Sequence, residues 1–98
     1  MRDPLVLQEV KATLALLTER SPGRAIEVRI PPYAAVQCGA GPTHTRGTPA
    51  NVIDMDAQTW LALAHGERTW ADAMAAGLIT ASGVRADLTS LLPLKIAP

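Results

Sequence analysis

The first stretch of the chain has the apolar periodicity of an amphipathic helix. Asp3 is a good N-cap residue, and Pro4 suits the first helical position, where no backbone N–H is needed. Pro22 and Gly23 end the helical pattern. We therefore predict a helix over about residues 4–20 that packs on a sheet, with a partner-binding helix as the alternative. Its apolar stripe, spaced by three or four residues, is Val6, Val10, Leu14 and Leu17.

Alternating apolar and polar residues then predict strands. The run 26–30 has a clean period of two, as expected for a strand with one buried and one solvated face. Pro31 and Pro32 remove two ladder donors, so the pairing must break there or the strand must lie at an edge. Three more strands are predicted, at 33–38, 43–46 and 51–54.

The second half of the chain contains two short helices with recognisable ends. Asp56 is predicted to cap the first helix, which ends at Gly66, and Thr69 caps a second helix that ends at Gly77. Thr69 and Asp72 form a Thr-x-x-Asp variant of the capping box. The elements that follow are a strand over 78–81 and a last helix over 84–92, which Pro93 ends.

This order of elements, α-β-β-β-β-α-α-β-α, predicts an α+β fold. Its sheet should have about five strands, mostly antiparallel, and be covered on one face by helices. The late strand follows a helical crossover, so it can pair in parallel with an earlier strand. At 98 residues the chain fits a single domain spanning residues 1–98.

Composition and charge exclude several classes of protein. The nine basic and nine acidic residues cancel, whereas a nucleic-acid binder needs a basic face to neutralise phosphates. No apolar run approaches the length of a membrane span, which argues against integral membrane association. One cysteine excludes an internal disulfide framework, and the start of the chain does not resemble an apolar leader. We therefore expect a cytoplasmic protein.

The residues that could carry chemistry are few. Cys38 would need a base to act as a nucleophile, and His44 lies six residues on, across a predicted turn. An inert core cysteine is the favoured interpretation. His44 and Arg46 would point to the same side of a strand and could contact an anion, or Arg46 could simply pair with a nearby aspartate. His65 is interpreted as part of a helix end. We predict no catalytic residues, metal site or cofactor.

Several of these stretches together resemble the sterol carrier protein (nonspecific lipid-transfer) family, in a short bacterial branch. The similarity covers about residues 24–94 and rests on the order of elements more than on any single motif. The resembling stretches are a strand at 52–53, helices at 59–66 and 69–77, a strand at 78–82, Gly83 and a helix at 84–92, with 31–38 and 41–49 upstream.

The resemblance implies a non-enzymatic domain that binds or carries an apolar small molecule such as a lipid, a fatty acyl group or a sterol. The alternative is a protein-interaction or accessory domain that retains the fold with a filled pocket. A homodimer is compatible with either, and a shallow groove and a cavity shared between two copies are alternatives to a full lipid tunnel. Carried over by position, the residues expected to line the apolar site are Trp60, Leu63, Trp70, Met74, Leu78, Leu88 and Leu91.

Overall fold

The computed structural model describes residues 3–41 and 50–94. Along these residues the elements are a 17-residue helix α1, strands β1 to β3, helices α2 and α3, strand β4 and a terminal 3₁₀ turn. Their bounds are α1 Pro4–Arg20, β1 Ile26–Ile30, β2 Ala34–Cys38, β3 Val52–Met55, α2 Ala57–Ala64, α3 Trp70–Ala75, β4 Ile79–Ser82 and the 3₁₀ turn Thr89–Leu91. The described residues thus form an α+β fold.

Helix α1 has the predicted bounds and the predicted cap. The carboxylate of Asp3 accepts hydrogen bonds from the backbone N–H groups of Leu5 and Val6, which would otherwise have no partner within the helix. The buried positions of the helix follow the apolar stripe, with Thr13 added to it, and are Val10, Thr13, Leu14 and Leu17.

The described strands form one mixed four-stranded sheet in the order β2-β1-β3-β4. Strand β1 is antiparallel to β2 and parallel to β3, and β3 is antiparallel to β4. The expectation that the late strand pairs in parallel is therefore wrong. Met55, the last residue of β3, pairs with Ile79, the first residue of β4, because the α2–α3 pair returns the chain to the end of the sheet it left. The fifth predicted strand, 43–46, lies outside the described residues.

The strand residues alternate between a buried face and a more exposed face. One face joins the apolar stripe of α1 and the buried sides of α2 and α3 in a single core. On the other face Arg29 hydrogen-bonds to Glu27 of the same strand. The pairing of neighbouring strands aligns the residues of the core face, which are Ile26, Val28, Ile30, Ala34, Val36, Cys38, Ile53, Met55, Ile79 and Ala81.

The predicted last helix over 84–92 is wrong, since the only helical turn there is the 3₁₀ turn Thr89–Leu91. A helix would place Val84 and Leu88 on the same face, yet Val84 is fully exposed while Leu88 is fully buried. Local hydrogen bonds compete with the helix, because the Asp87 carboxylate accepts from both the N–H and the hydroxyl of Thr89.

Candidate functional site

The clearest candidate site is a cleft between the α2–α3 junction and the C-terminal segment. It encloses about 240 Å³ and has mostly apolar walls. We call it the Trp70 cleft. Its lining residues are Leu63, Gly66, Arg68, Thr69, Trp70, Thr89, Leu92 and Pro93.

One wall of the Trp70 cleft is shaped by the end of α2. Gly66 has a φ of +79°, a left-handed conformation that glycine adopts without strain. Its N–H donates to Leu63 O at 3.2 Å, and the Glu67 N–H donates to Ala62 O at 2.8 Å. These two bonds make a Schellman motif, which ends the helix and turns the chain sharply. Residues 66–69 are thereby directed across the end of α2.

Helix α3 begins immediately after this turn and positions the indole that gives the cleft its name. The hydroxyl of Thr69 accepts a hydrogen bond from the Asp72 N–H at 3.1 Å, which is the N-cap contact predicted from the sequence. Trp70 is the first residue of the helix and remains 8% exposed. Its indole is thus largely packed into the core while part of it faces the cleft.

The opposite wall is the C-terminal segment, and α1 holds it in place. The Arg20 guanidinium donates to the carbonyl oxygens of Leu91, Pro93 and Leu94 at 3.1, 3.0 and 3.2 Å. The Leu94 N–H also donates to Ala64 O at 2.9 Å, at the end of α2. Because Leu92 and Pro93 line the cleft, these long-range bonds hold one of its walls.

The structure divides the seven apolar residues expected at the site into three groups. Leu63 and Trp70 line the Trp70 cleft. Trp60 and Leu88 are fully buried in the core, and Leu91 packs partly buried against it. Met74 and Leu78 are 41% and 38% exposed. The binding role of these residues stays a prediction, and only the first group meets at one cavity.

A second cleft lies beside the first and has a more polar lining. It encloses about 250 Å³ and is bordered by Leu78 and by several polar side chains. Arg68 lines both clefts, so this residue lies at their common border. Sequence patterns gave no signal for Arg68, because it lies in a turn where a charged residue needs no special role. The lining residues of this polar cleft are Asp56, Gln58, Thr59, Ala62, Arg68 and Leu78.

The residues considered for chemistry have ordinary structural surroundings where they are described. Cys38 is fully buried, and burial raises the pKa of its thiol above the ordinary value. His65 follows α2 as its C-cap residue, and its Nε2 lies 2.9 Å from the Glu9 carboxylate on α1. His44 and Arg46 lie outside the described residues. Within 3–41 and 50–94, no group of three His, Cys, Asp or Glu residues is arranged to hold a metal ion.

None of the helices in the described part of the chain combines the length and apolar character needed to cross a bilayer.

A search of curated proteins finds no match to the chain. A family model described as "Bacterial SCP ortholog" matches residues 3–94, which includes α1 as well as every strand and helix around the two clefts. The chain therefore belongs to the bacterial branch of the sterol carrier protein family.

Proposed function

We propose that this chain is a non-enzymatic, cytoplasmic domain that binds an apolar small molecule, such as a lipid or fatty acyl chain, in the Trp70 cleft. The observation that carries the proposal is the cleft itself, where Leu63, Trp70 and Leu92 meet between separately held walls. Membership of the sterol carrier family supports it. Affinity would come mainly from ligand surface removed from water, at about 25 cal/mol per Å².

The size of the cleft limits the part of a ligand that it can enclose. Sites for small molecules usually enclose about 300–1,000 Å³, and the Trp70 cleft encloses about 240 Å³. Trp60 and Leu88, which could have lined a deeper tunnel, are fully buried and packed in the core. The cleft therefore suits the end of a single acyl chain better than a whole sterol.

The test is ligand binding by the full chain and by two matched variants. Leu92→Trp adds an indole within the cleft, whereas Met74→Trp adds one at an exposed position on α3 outside its lining. We expect native mass spectrometry to detect fatty acid or acyl-CoA bound to the wild type and to Met74→Trp, with a raised melting temperature. Leu92→Trp should lose both effects. A bare mass and an unchanged melting temperature for the wild type would exclude the proposal.

The second candidate function is a protein-interaction domain with a filled pocket. It is favoured by the filled core around Trp60 and by the exposure of Met74 and Leu78 at the end of α3. Exposed apolar side chains that lie close together often mark interaction surfaces. Sedimentation velocity would distinguish this candidate: a dimer that Met74→Asp converts to a monomer would support it, and a strict monomer at all concentrations would oppose it.

A further inference from the structure

We infer that the Trp70 cleft selects an amphiphile with an anionic group, and that Arg68 is the residue that confers this specificity. The inference rests on the proposed function, since it names the class of ligand for the same cleft. It is carried by the position of Arg68, which borders both the apolar Trp70 cleft and the polar cleft next to it.

The two clefts differ in the chemistry that they offer on either side of Arg68. The Trp70 cleft presents Leu63, Leu92 and the indole, which suit an alkyl chain. The polar cleft presents side chains such as Gln58 and Thr59, which suit a hydrated head group. A ligand with its chain in the first cleft would place its polar end beside the guanidinium. Arginine offers a planar set of donors that matches a carboxylate or a phosphate.

Arg68 has no ion-pair partner within the described part of the chain. Across residues 3–41 and 50–94, no carboxylate oxygen lies within 4.0 Å of its guanidinium nitrogens. The carboxylates near the two clefts, including Asp56 in the lining of the polar cleft, keep their charge but accept hydrogen bonds from backbone N–H groups. Asp56 Oδ1 accepts the Thr59 N–H at 2.8 Å, and Asp87 Oδ1 accepts the Thr89 N–H at 2.8 Å. Arg68 is the cationic residue that the two linings share, so an incoming anion would meet it at this border.

The backbone of Arg68 is ordered even though its side chain is exposed. Its N–H donates to Ala62 O at 3.3 Å, at the end of the Schellman turn, and Thr69 beside it is the N-cap of α3. The guanidinium is therefore attached to a fixed point, so less conformational freedom is lost when it binds an anion.

The experiment compares octanoate with 1-octanol, which share an eight-carbon chain and differ in charge. Both are titrated into the full-length wild type below their aggregation limits, and dissociation constants are taken from calorimetry and tryptophan fluorescence. We expect octanoate to bind more tightly than octanol. The dissociation constant of octanol should exceed that of octanoate by a factor of about three to ten, which is the size expected for an exposed charge pair or a hydrogen bond to a charged group. Added salt should reduce that ratio, because ions screen exposed charges.

Three variants separate the role of Arg68 from a general effect of charge. Arg68→Gln should abolish the preference for octanoate, and Arg68→Lys should retain part of it. Arg24→Gln removes the same charge at an exposed site whose guanidinium donates to Gln37 on β2, and it should keep the wild-type ratio. Circular dichroism and thermal melting check that each variant is folded.

Each other outcome overturns the inference in a recognisable way. Equal affinities for octanoate and octanol in the wild type would show that the cleft does not select an anion, while leaving the proposed function intact. A ratio unchanged in Arg68→Gln, or lowered equally in Arg24→Gln, would remove Arg68 from the recognition. If neither compound binds the wild type, the proposed function fails first and this inference fails with it.

Discussion

The indole Nε1 of Trp60 donates a hydrogen bond to the hydroxyl of Thr13 at 2.8 Å, with both side chains buried between α2 and α1. The Thr13 hydroxyl lies within hydrogen-bond distance of the Glu9 and Val10 carbonyl oxygens as well. This contact explains how a threonine can occupy a fully buried position on an apolar helix face, and how an indole N–H can be buried without losing its partner.

Replacing Thr13 by valine keeps the shape of the side chain and removes the acceptor of the Trp60 N–H. Since a buried donor left without a partner costs about 1–3 kcal/mol, we expect Thr13→Val to lower the free energy of unfolding by that amount. Urea denaturation measures it. The control is Thr18→Val in the same helix, where the hydroxyl is bonded to the Ala15 carbonyl oxygen alone. Equal stability of the two variants would contradict the role given to Thr13.

Arg20→Met should release the C-terminal wall of the Trp70 cleft, because the variant keeps much of the aliphatic stem and loses the donors to three carbonyl oxygens. We expect the Leu94 amide, which bonds to Ala64 O, to exchange its hydrogen at least about tenfold faster, since 1.4 kcal/mol of lost stabilisation corresponds to that factor. Hydrogen exchange followed by mass spectrometry reports this directly. Arg24→Met is the matched control, and equal protection in the two variants would refute the prediction.

Gly83 and Gly77 offer a matched pair of glycine substitutions. Both have positive φ angles, of +106° and +73°. A Cβ at Gly77 would meet nothing within 4 Å, whereas one at Gly83 would collide with the Ala50 carbonyl oxygen and with Asn51 Oδ1. We expect Gly77→Ala to cost about 1–2 kcal/mol of unfolding free energy from backbone strain. Gly83→Ala should cost about 1–3 kcal/mol more from overpacking.

The collision at Gly83 would also disturb a buried hydrogen-bonded side chain. Asn51 donates through Nδ2 to Ala25 O and accepts through Oδ1 from the Arg85 N–H, each at 2.9 Å, so it links the start of β1 to the segment after β4. Thermal unfolding monitored by circular dichroism compares the two alanine variants. Similar melting temperatures for the two variants would mean that the backbone at Gly83 can move away from Asn51 without a loss of stability.

The Thr89 hydroxyl and N–H hold the pKa of Asp87 below its ordinary value. Thr89→Val removes the hydroxyl, which is the larger cause, so the pKa of Asp87 should rise toward its ordinary value. Because the pKa of Asp87 is lower in the folded state, its bonds to Thr89 stabilise the folded protein at pH values above the unfolded-state pKa. This stabilisation is lost as the pH falls through the lower, folded-state pKa. Carbon-detected NMR titration of the carboxyl group measures the shift. Ser90→Ala serves as control, and an unmoved pKa in Thr89→Val would contradict the assignment.

Cys38 should react slowly with iodoacetamide at neutral pH, because its thiol is buried and its pKa is raised by that burial. Reactive thiols have the opposite combination of exposure and lowered pKa. We expect the native protein to be alkylated at least about a hundredfold more slowly than the urea-unfolded chain, since 2.7 kcal/mol of protection corresponds to that factor. Mass spectrometry follows the modification. Equal alkylation rates in the two states would show that the thiol is accessible in the native protein and would support a thiol-dependent activity.

Local sequence signals predicted the parts of the fold that local interactions determine. These parts depend on residues within a few positions of one another. They are the cap at Asp3, the Thr69–Asp72 contact and the glycine ends of α2 and α3. The family resemblance was confirmed and extended, since the match begins at residue 3 rather than near 24. The binding residues themselves stay a prediction.

The features that were missed depend on contacts between distant residues. The segment after Gly83 has helical spacing, but its path is determined by Arg85 bonding to Asn51 and by Arg20 bonding to carbonyl groups more than 70 residues away. The parallel pairing of β1 with β3 likewise joins residues that are distant in the chain, with β2 lying between them in sequence. Periodicity carries no information about such partners, so it could not reveal the wall that forms the cleft.

The bonds from Arg20 have a practical consequence for anyone expressing this protein. Since Leu92 and Pro93 line the cleft in a segment that Arg20 holds, cutting the coding sequence back to residue 90 would remove one wall of the cavity and leave Arg20 without these acceptors. A purification tag fused directly after residue 94 risks the same defect. Ligand screens are best run on protein tagged at the other terminus.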